Sequence, residues 1–134
     1  MITLMRLLGI DYSKKRIGLA IADNQMKIAS PFKTIQNGKQ IIDKIKEICY
    51  NEKVEKIIVG IPKHLSGRKH ELTGEIKNFG DLLEEEFGLP IIYEDERLTS
   101  KEAQEKSKGL SKNKEKLDEL SAQEILQGYL VKLA

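Results

Sequence analysis

The segment LLGIDYSKKRIGLAIAD, residues 7–23, predicts two adjacent strands and places an acid, Asp11, where the first strand ends. Its two apolar runs flank a polar and basic link, residues 12–16, which is the pattern of a β-hairpin. An acid at the end of a buried apolar run is costly unless a partner neutralises or binds it. Asp11 therefore caps the turn, pairs with a cation of the link, or holds a ligand.

The composition is that of one ordinary globular domain, and we expect a single domain over residues 1–134. No apolar run approaches the roughly 20 residues that cross a bilayer, and the first residues do not resemble a signal peptide, so we predict no membrane partner. The only cysteine, Cys49, falls on the apolar face of a predicted helix and cannot form an internal disulfide. These features are typical of a protein of the reducing cytoplasm, where we expect this chain to act.

The remaining pattern predicts an α/β fold. Helices are predicted over 39–52, 71–87 and 114–133, a short helix from Thr99, and further strands over 28–35, 56–61 and 89–93. Strands that are joined through a helix run parallel, so the first, fourth and fifth strands should share one edge at their carboxyl ends. In open α/β sheets ligands bind at that edge, which here gathers Asp11, the 60–63 corner and residues 95–97.

Asp118 is a third acid that helical geometry brings towards this edge. It lies in line with Ala122 and Ile125, near the start of the last helix and on its inward side. A carboxylate at that place could meet Asp11 and Glu96. The alternatives are that the helix dipole stabilises Asp118 and that Glu96 pairs with a neighbouring arginine.

Three carboxylates that converge at one edge repel each other unless a cation holds them. Mg²⁺ and Mn²⁺ prefer oxygen ligands and support displacement at phosphodiesters. The sequence has no Gly-x-Ser-x-Gly motif and no Cys/His arrangement that would support acyl transfer. The acids therefore favour phosphoryl chemistry.

Basic residues concentrate in predicted loops and helix starts, although the formal net charge is only +2. If these segments share one edge, they form a surface that attracts phosphate; the alternative is an ordinary solvated face. The set comprises Lys14, Lys15, Arg16, Lys63, His64, Arg68, Lys69, His70, Arg97, Lys112, Lys114 and Lys116.

Four motifs, in order and with matching spacing, resemble those of the YqgF (RuvX) family. GIDYSKKRIGLAIAD resembles GIDYGxKRIGxAxSD, and KIIVGIPKHLSG resembles the family's strand followed by a GLP loop. EDERLTSKEA resembles DERxTTxxA, and KLDELSAQEILQGYL resembles DxxAAxxILxxYL. The resemblance covers nearly the whole chain. Ser13 departs from the pattern by replacing a glycine, which predicts a tighter or shifted turn.

The resemblance implies a ribonuclease H-like fold, a five-stranded mixed sheet of strand order 3-2-1-4-5 flanked by helices. It also implies that Asp11, Glu96 and Asp118 are the catalytic, metal-binding acids and that the cofactor is Mg²⁺ or Mn²⁺. Many ribonuclease H-like nucleases carry an acid at the end of the fourth strand, where this chain has residues 60–62, so Glu96 takes that role from the fifth strand. The residues expected to contact substrate phosphates are Lys14, Arg16 and Arg97 from the motifs, with Lys63 and Arg68 from the basic loop.

The family is described as nucleases that trim the 5′ end of the 16S ribosomal RNA precursor and as Holliday junction resolvases. We therefore expect a metal-dependent nuclease that acts on structured nucleic acid, with the ribosomal RNA precursor as its substrate. One alternative is a resolvase of branched DNA, which would be expected to be a homodimer because its junction is symmetric. Another is a module that binds ribosomal RNA without cutting it. A phosphotransferase related to the sugar kinases is disfavoured, because those folds need two such domains.

Overall fold

The computed structural model describes residues 4–62, 68–96 and 113–133, with side chains described throughout except at 68–70. The predicted phosphate contacts Lys63 and Arg97 and the predicted helix from Thr99 lie outside these residues. The elements are the strands β1 (Arg6–Tyr12), β2 (Arg16–Asp23), β3 (Ser30–Gln36), β4 (Val54–Pro62) and β5 (Ile91–Glu96), and the helices α1 (Ile41–Glu52), α2 (Arg68–Phe87) and α3 (Lys114–Leu133).

The five strands form one mixed sheet of order β3-β2-β1-β4-β5, which confirms the predicted strand order. The pairs β1–β2 and β2–β3 are antiparallel, whereas β4 runs parallel to both β1 and β5. The carboxyl ends of β1, β4 and β5 therefore share one edge, as expected. Pro31 lies in β3, an edge strand, where its missing N–H interrupts no pairing with a further strand.

The sheet separates two apolar cores, because residues of alternating strand positions face opposite sides. One core is formed by sheet residues Leu8, Ile10, Ile17, Leu19, Ile57 and Val59 with Ile41, Ile45 and Cys49 of α1 and Ile76, Phe79 and Leu83 of α2. The other contains Leu7, Ala20, Ala22 and Ile58 with Ala122, Ile125, Leu126, Tyr129 and Leu130 of α3. Among the described helices, none combines the length and the apolar character that crossing a membrane requires.

Helix α3 packs closely on the sheet where glycines line its path. A Cβ at Gly9 would lie 2.8 Å from the Leu126 Cβ and 3.0 Å from the Ala122 carbonyl oxygen. A Cβ at Gly18 would overlap the backbone of Asp118, and one at Gly60 would overlap the Ile125 side chain. A side chain at Gly9 or Gly18 would press on the helix backbone, whereas one at Gly60 would displace the Ile125 side chain.

Hydrogen bonds to β3 and to the residue before it also hold α3 in place. The Gln123 amide donates to the Ala29 carbonyl oxygen over 2.9 Å, and the Ala29 N–H donates to the Gln127 side-chain oxygen over 2.9 Å. The Thr34 hydroxyl donates to the Glu115 carbonyl oxygen over 2.7 Å. These bonds fix the position of the helix along its axis, and with it the place of its first turns.

Several element boundaries differ from those predicted, and those of β5 and α2 bear on the candidate site. The strand expected over 89–93 is β5 (Ile91–Glu96), so the acids that were expected to follow the strand belong to it. The reason is its parallel pairing with β4, which continues as far as Pro62 opposite Glu96. Helix α2 begins at Arg68, so the last three residues of the predicted 63–70 loop are helical.

The space above Gly80 is filled by Tyr93, which explains a glycine inside a helix. A Cβ at Gly80 would overlap the Tyr93 hydroxyl, and that hydroxyl donates to the Lys77 carbonyl oxygen over 3.3 Å. Burial raises the pKa of Tyr93, and the nearby carboxylates of Asp81 and Glu84 raise it further. Gly80 therefore lowers the helix propensity of α2 but leaves the space that Tyr93 needs to pack between α2 and β5.

Substituting Gly18 tests the close approach of α3. Gly18→Ala should lower the free energy of unfolding by at least about 2 kcal/mol, because overpacking costs roughly 1–3 kcal/mol and the obstacle here is helix backbone. Gly74→Ala is the matched control, since nothing lies within 4 Å of a Cβ there. It should raise stability by about 1 kcal/mol through helix propensity. Urea denaturation measures both, and equal effects of the two substitutions would contradict the packing described.

Cys49 supplies a second test of the core. The thiol is buried, as predicted, and burial raises its pKa to about 11. At pH 8 only about one thiol in a thousand is then ionised, and the thiolate is the nucleophile. Labelling of the native protein with an aromatic disulfide at pH 8 should be far slower than labelling in guanidinium chloride. Equal rates would show that the helix does not shield the thiol.

Candidate active site

Asp11 lies at the carboxyl end of the central strand β1 and is 6% exposed. It belongs to the face that α3 covers, because it alternates with Leu7 and Gly9, which contact that helix. Its partner across the hairpin is Gly18 of β2. Asp11 is thus buried at the edge formed by the carboxyl ends of β1, β4 and β5.

Asp118 lies directly above Gly18, and this is what brings it towards Asp11. A Cβ at Gly18 would lie 2.9 Å from the Asp118 Cβ. Cβ atoms of cross-strand neighbours are about 4.5–5.5 Å apart, so the Cβ atoms of Asp11 and Asp118 lie within about 9 Å of each other. The predicted inward position of Asp118 therefore places it beside Asp11, above the hairpin.

The nearest described partner of the Asp118 carboxylate is a cation. The Arg16 Nε donates to Asp118 Oδ2 over 2.6 Å, and the two side chains are 24% and 19% exposed. Charge-assisted hydrogen bonds of this kind contribute about 1.5–3 kcal/mol when they are shielded from water. The pair joins residues 102 positions apart and fastens the start of α3 to the hairpin.

The hairpin turn is closed by Ser13, the residue that replaces the glycine of the family motif. Its hydroxyl donates to the Arg16 carbonyl oxygen over 2.7 Å and accepts the Arg16 N–H over 3.1 Å. Asn37 donates to the Ser13 carbonyl oxygen over 2.8 Å. The backbone of Arg16 is therefore held by hydrogen bonds that a glycine could not supply.

Glu96 is the last residue of β5, opposite Pro62 of β4, and is partly buried. Glu94 precedes it by two positions, so both side chains point to the face covered by α3. Glu94 is 7% exposed and lies opposite Gly60. Sequence reasoning missed this buried acid because it placed the acids in a loop; the alternation of Ile92, Glu94 and Glu96 was the available signal.

Glu94 has a described partner on α3. Its Oε1 lies 2.7 Å from the Lys132 Nζ, and a Cβ at Gly128 would be in van der Waals contact with the same oxygen at 3.5 Å. The side chain of Glu94 is 9% exposed, whereas that of Lys132 is 61% exposed. Lys132 therefore neutralises the Glu94 carboxylate. This ion pair lies near the C-terminal end of α3, whereas Asp118 lies near the start of the helix.

The three predicted metal ligands share one face, yet they are not gathered around one point. Two strand spacings, about 10 Å, separate the axes of β1 and β5, so Asp11 and Glu96 approach only through their side chains. Within residues 4–62, 71–96 and 113–133, no three acidic, histidine or cysteine side chains form a group that could hold a metal ion. The oxygen donors suit Mg²⁺ or Mn²⁺ chemically, while Arg16 keeps the Asp118 carboxylate engaged.

The predicted phosphate contacts have different surroundings. Lys14 Nζ lies 3.4 Å from Glu75 Oε1 of α2, and its side chain is 77% exposed. Such an exposed pair is worth little and yields readily to another anion. Arg68 is the first residue of α2.

Arg16 pairs with Asp118. No signal in the sequence could have identified the pairing of Arg16 with Asp118, because it depends on the height of α3 above the sheet.

The chain is similar to proteins of known name and to solved structures over nearly its whole length. A relative from Oenococcus oeni, named "Putative pre-16S rRNA nuclease", is 38% identical over 96% of this chain and 95% of its own length. The fold is similar to Thermus thermophilus RuvC in complex with a Holliday junction substrate, with a TM-score of 0.60 and 15% identity over 96% of this chain and 95% of that one.

A second structure of the same kind is the Fowlpox virus resolvase with Holliday junction DNA. Its TM-score is 0.57 and its identity 13%, over 96% of this chain and 99% of that chain. These likenesses confirm the ribonuclease H-like fold. The family model RuvX, described as Holliday junction resolvase, matches residues 5–132. By that match and by its relatives, the chain belongs to the RuvX (YqgF) family.

Proposed function

We propose that this chain is a nuclease that hydrolyses phosphodiester bonds in structured nucleic acid with the help of a divalent cation. The observation that carries the proposal is the burial of Asp11 at the carboxyl edge of the central strand, beneath the first turns of α3 and beside Asp118. The carboxyl ends of parallel strands are where open α/β sheets bind ligands, and carboxylate oxygens are the donors that Mg²⁺ and Mn²⁺ prefer.

The acids that would hold the cation are Asp11, Glu96 and Asp118. Asp11 occupies the centre, with Asp118 on the β2 side and Glu96 on the β5 side of the same sheet face. A bound Mg²⁺ or Mn²⁺ supplies a Lewis acid and lowers the pKa of bound water. The protein's own contribution is to fix these oxygen donors on a rigid sheet and helix, and to exclude bulk water from Asp11.

The proposed substrate is the 5′ region of the 16S ribosomal RNA precursor, in the cytoplasm. Its support is the name of the Oenococcus relative, which shares 38% identity over nearly the full length of both chains. Phosphates would be contacted by Lys14 and Arg16 in the hairpin turn, with Lys63, Arg68 and Arg97 contributed by the neighbouring segments. Contacts to phosphate position a substrate without selecting its sequence.

Cleavage of a Holliday junction is the alternative, favoured by the similarity of the fold to two resolvases bound to such junctions. A resolvase must cut two strands related by symmetry, so this function calls for a homodimer. The mass of the protein in solution, with and without a four-way junction, separates the two functions: the RNA nuclease requires no second copy.

Asp11→Asn is the central test. It should lower the rate of Mg²⁺-dependent cleavage at least about 100-fold, since a metal ion contributes several kcal/mol to transition-state stabilisation. Folding should persist, because asparagine is nearly isosteric with aspartate. The assay uses a precursor 16S RNA fragment and a four-way DNA junction in parallel. Full activity of the variant on both substrates would refute the proposal.

Glu124→Gln is the matched control, because Glu124 is exposed on α3, the helix that carries Asp118. It removes the same charge and should leave cleavage within about twofold of the wild type, as expected for a surface site. Arg68→Ala with Lys69→Ala addresses the non-cleaving module. If these changes abolish RNA binding while Asp11→Asn leaves the biological function intact, the chain is a binding module and the nuclease proposal fails.

A further inference from the structure

The ion pair between Arg16 and Asp118 joins one proposed phosphate contact to one proposed metal ligand. The Arg16 Nε and Asp118 Oδ2 are 2.6 Å apart, and both side chains are largely shielded from water. Each group is thus committed to the other in the protein without nucleic acid. Neither the phosphate contact expected of Arg16 nor the metal binding expected of Asp118 explains why these two side chains pair with each other.

Binding a cation and pairing with Arg16 are two roles that compete for the same carboxylate, that of Asp118. A divalent cation that binds Asp118 Oδ2 would be next to a guanidinium that donates to that oxygen, and the two positive charges repel each other. A substrate phosphate offers the guanidinium another anion, with which arginine forms strong and often bidentate hydrogen bonds. Exchange of the carboxylate for a phosphate therefore removes the obstacle to the cation.

The structure confines this exchange to side chains. The N–H and carbonyl groups of Arg16 are both bonded to Ser13, and the backbone of Asp118 lies against Gly18. Arg16 is the first residue of β2, directly beside the exposed residues Lys14 and Lys15 of the turn. The Arg16 side chain is 24% exposed, so a phosphate bound at the turn would meet the guanidinium through a change of side-chain conformation.

Resting on the proposed nuclease function, we infer that Arg16 is a positioning residue that withholds Asp118 from the cation until a substrate phosphate draws the guanidinium away. Metal binding and substrate binding are then coupled through one side chain, and each strengthens the other. The arrangement limits occupation of the site by metal while no substrate is present.

The first test measures the affinity for Mn²⁺ of the protein without nucleic acid, by isothermal titration calorimetry. Arg16→Gln should bind Mn²⁺ at least about fivefold more tightly than the wild type, the lower end of typical coupling between two sites. Lys15→Gln is the matched control, because it removes the same charge from the same turn. Its affinity should change less than that of Arg16→Gln, since only the general electrostatic effect remains.

The double variant Arg16→Gln with Asp118→Asn identifies the carboxylate that is released. The gain in affinity should disappear in it, because amide oxygens are poor ligands compared with carboxylates. A gain that persists in the double variant would overturn the inference. So would equal affinities of Arg16→Gln and Lys15→Gln, or the absence of Mn²⁺ binding in every variant.

A second measurement uses the wild type and so does not depend on the folding of a variant. The ¹⁵Nε–Hε signal of Arg16 is assigned by its loss in Arg16→Gln. It should shift when an RNA stem-loop or a four-way DNA junction is added without metal, since the hydrogen-bond acceptor changes. An unchanged signal with both nucleic acids at saturation would show that phosphate does not displace Asp118.

These measurements separate the inference from the function on which it rests. If Asp11→Asn abolishes cleavage while Arg16→Gln leaves Mn²⁺ affinity unchanged, the nuclease proposal stands and the role of Arg16 is refuted. If Arg16→Gln raises the affinity while the wild type cleaves neither substrate, the exchange at Asp118 is supported and the nuclease proposal fails.

Discussion

The close contact between α3 and the sheet is the constraint on which the rest of the structure depends. Gly9, Gly18 and Gly60 leave no room for side chains beneath the helix. Their absence of a Cβ lets the helix backbone rest almost directly on β2 and β1 and makes room on β4 for the Ile125 side chain. The distance between helix and sheet determines whether a short acid on the helix can reach a short acid on the strand.

Asp11 and Asp118 are both aspartates, which have only one methylene, so a thicker interface would separate their carboxylates. Larger residues at Gly9 and Gly18 would raise α3 and move Asp118 away from the sheet. The same closeness allows Arg16 to reach Asp118 from the start of β2. Packing and electrostatics at this site therefore have one common origin.

The strand order and the extent of α3 could be predicted because they follow from periodic apolar patterns and from motifs of the RuvX family. Helix α3 (Lys114–Leu133) coincides with the predicted 114–133, and the sheet has the expected order. The end of β5 could not be located in this way, since three consecutive acids, 94–96, look like a loop. Strand pairing with β4 outweighed that local preference.

The candidate site was predictable only in part. The placement of Asp11 follows from its strand and that of Asp118 from its helix, so the sequence contains enough to bring them to one edge. The pairing of Asp118 with Arg16 depends on the height of the helix, which no local pattern encodes. The burial of Glu94 depends on where β5 ends, and that boundary had been placed too early.

The pair formed by Glu94 and Lys132 also has a consequence for association between molecules. β5 is an edge strand of the described sheet, and Glu94 is a charge that points inward from it. Inward-pointing charges on edge strands discourage pairing with strands of other molecules, as do prolines and bulges. The opposite edge strand, β3, contains Pro31 and a register shift at its pairing with β2. Both edges of the described sheet thus resist the strand-to-strand growth that leads to aggregation.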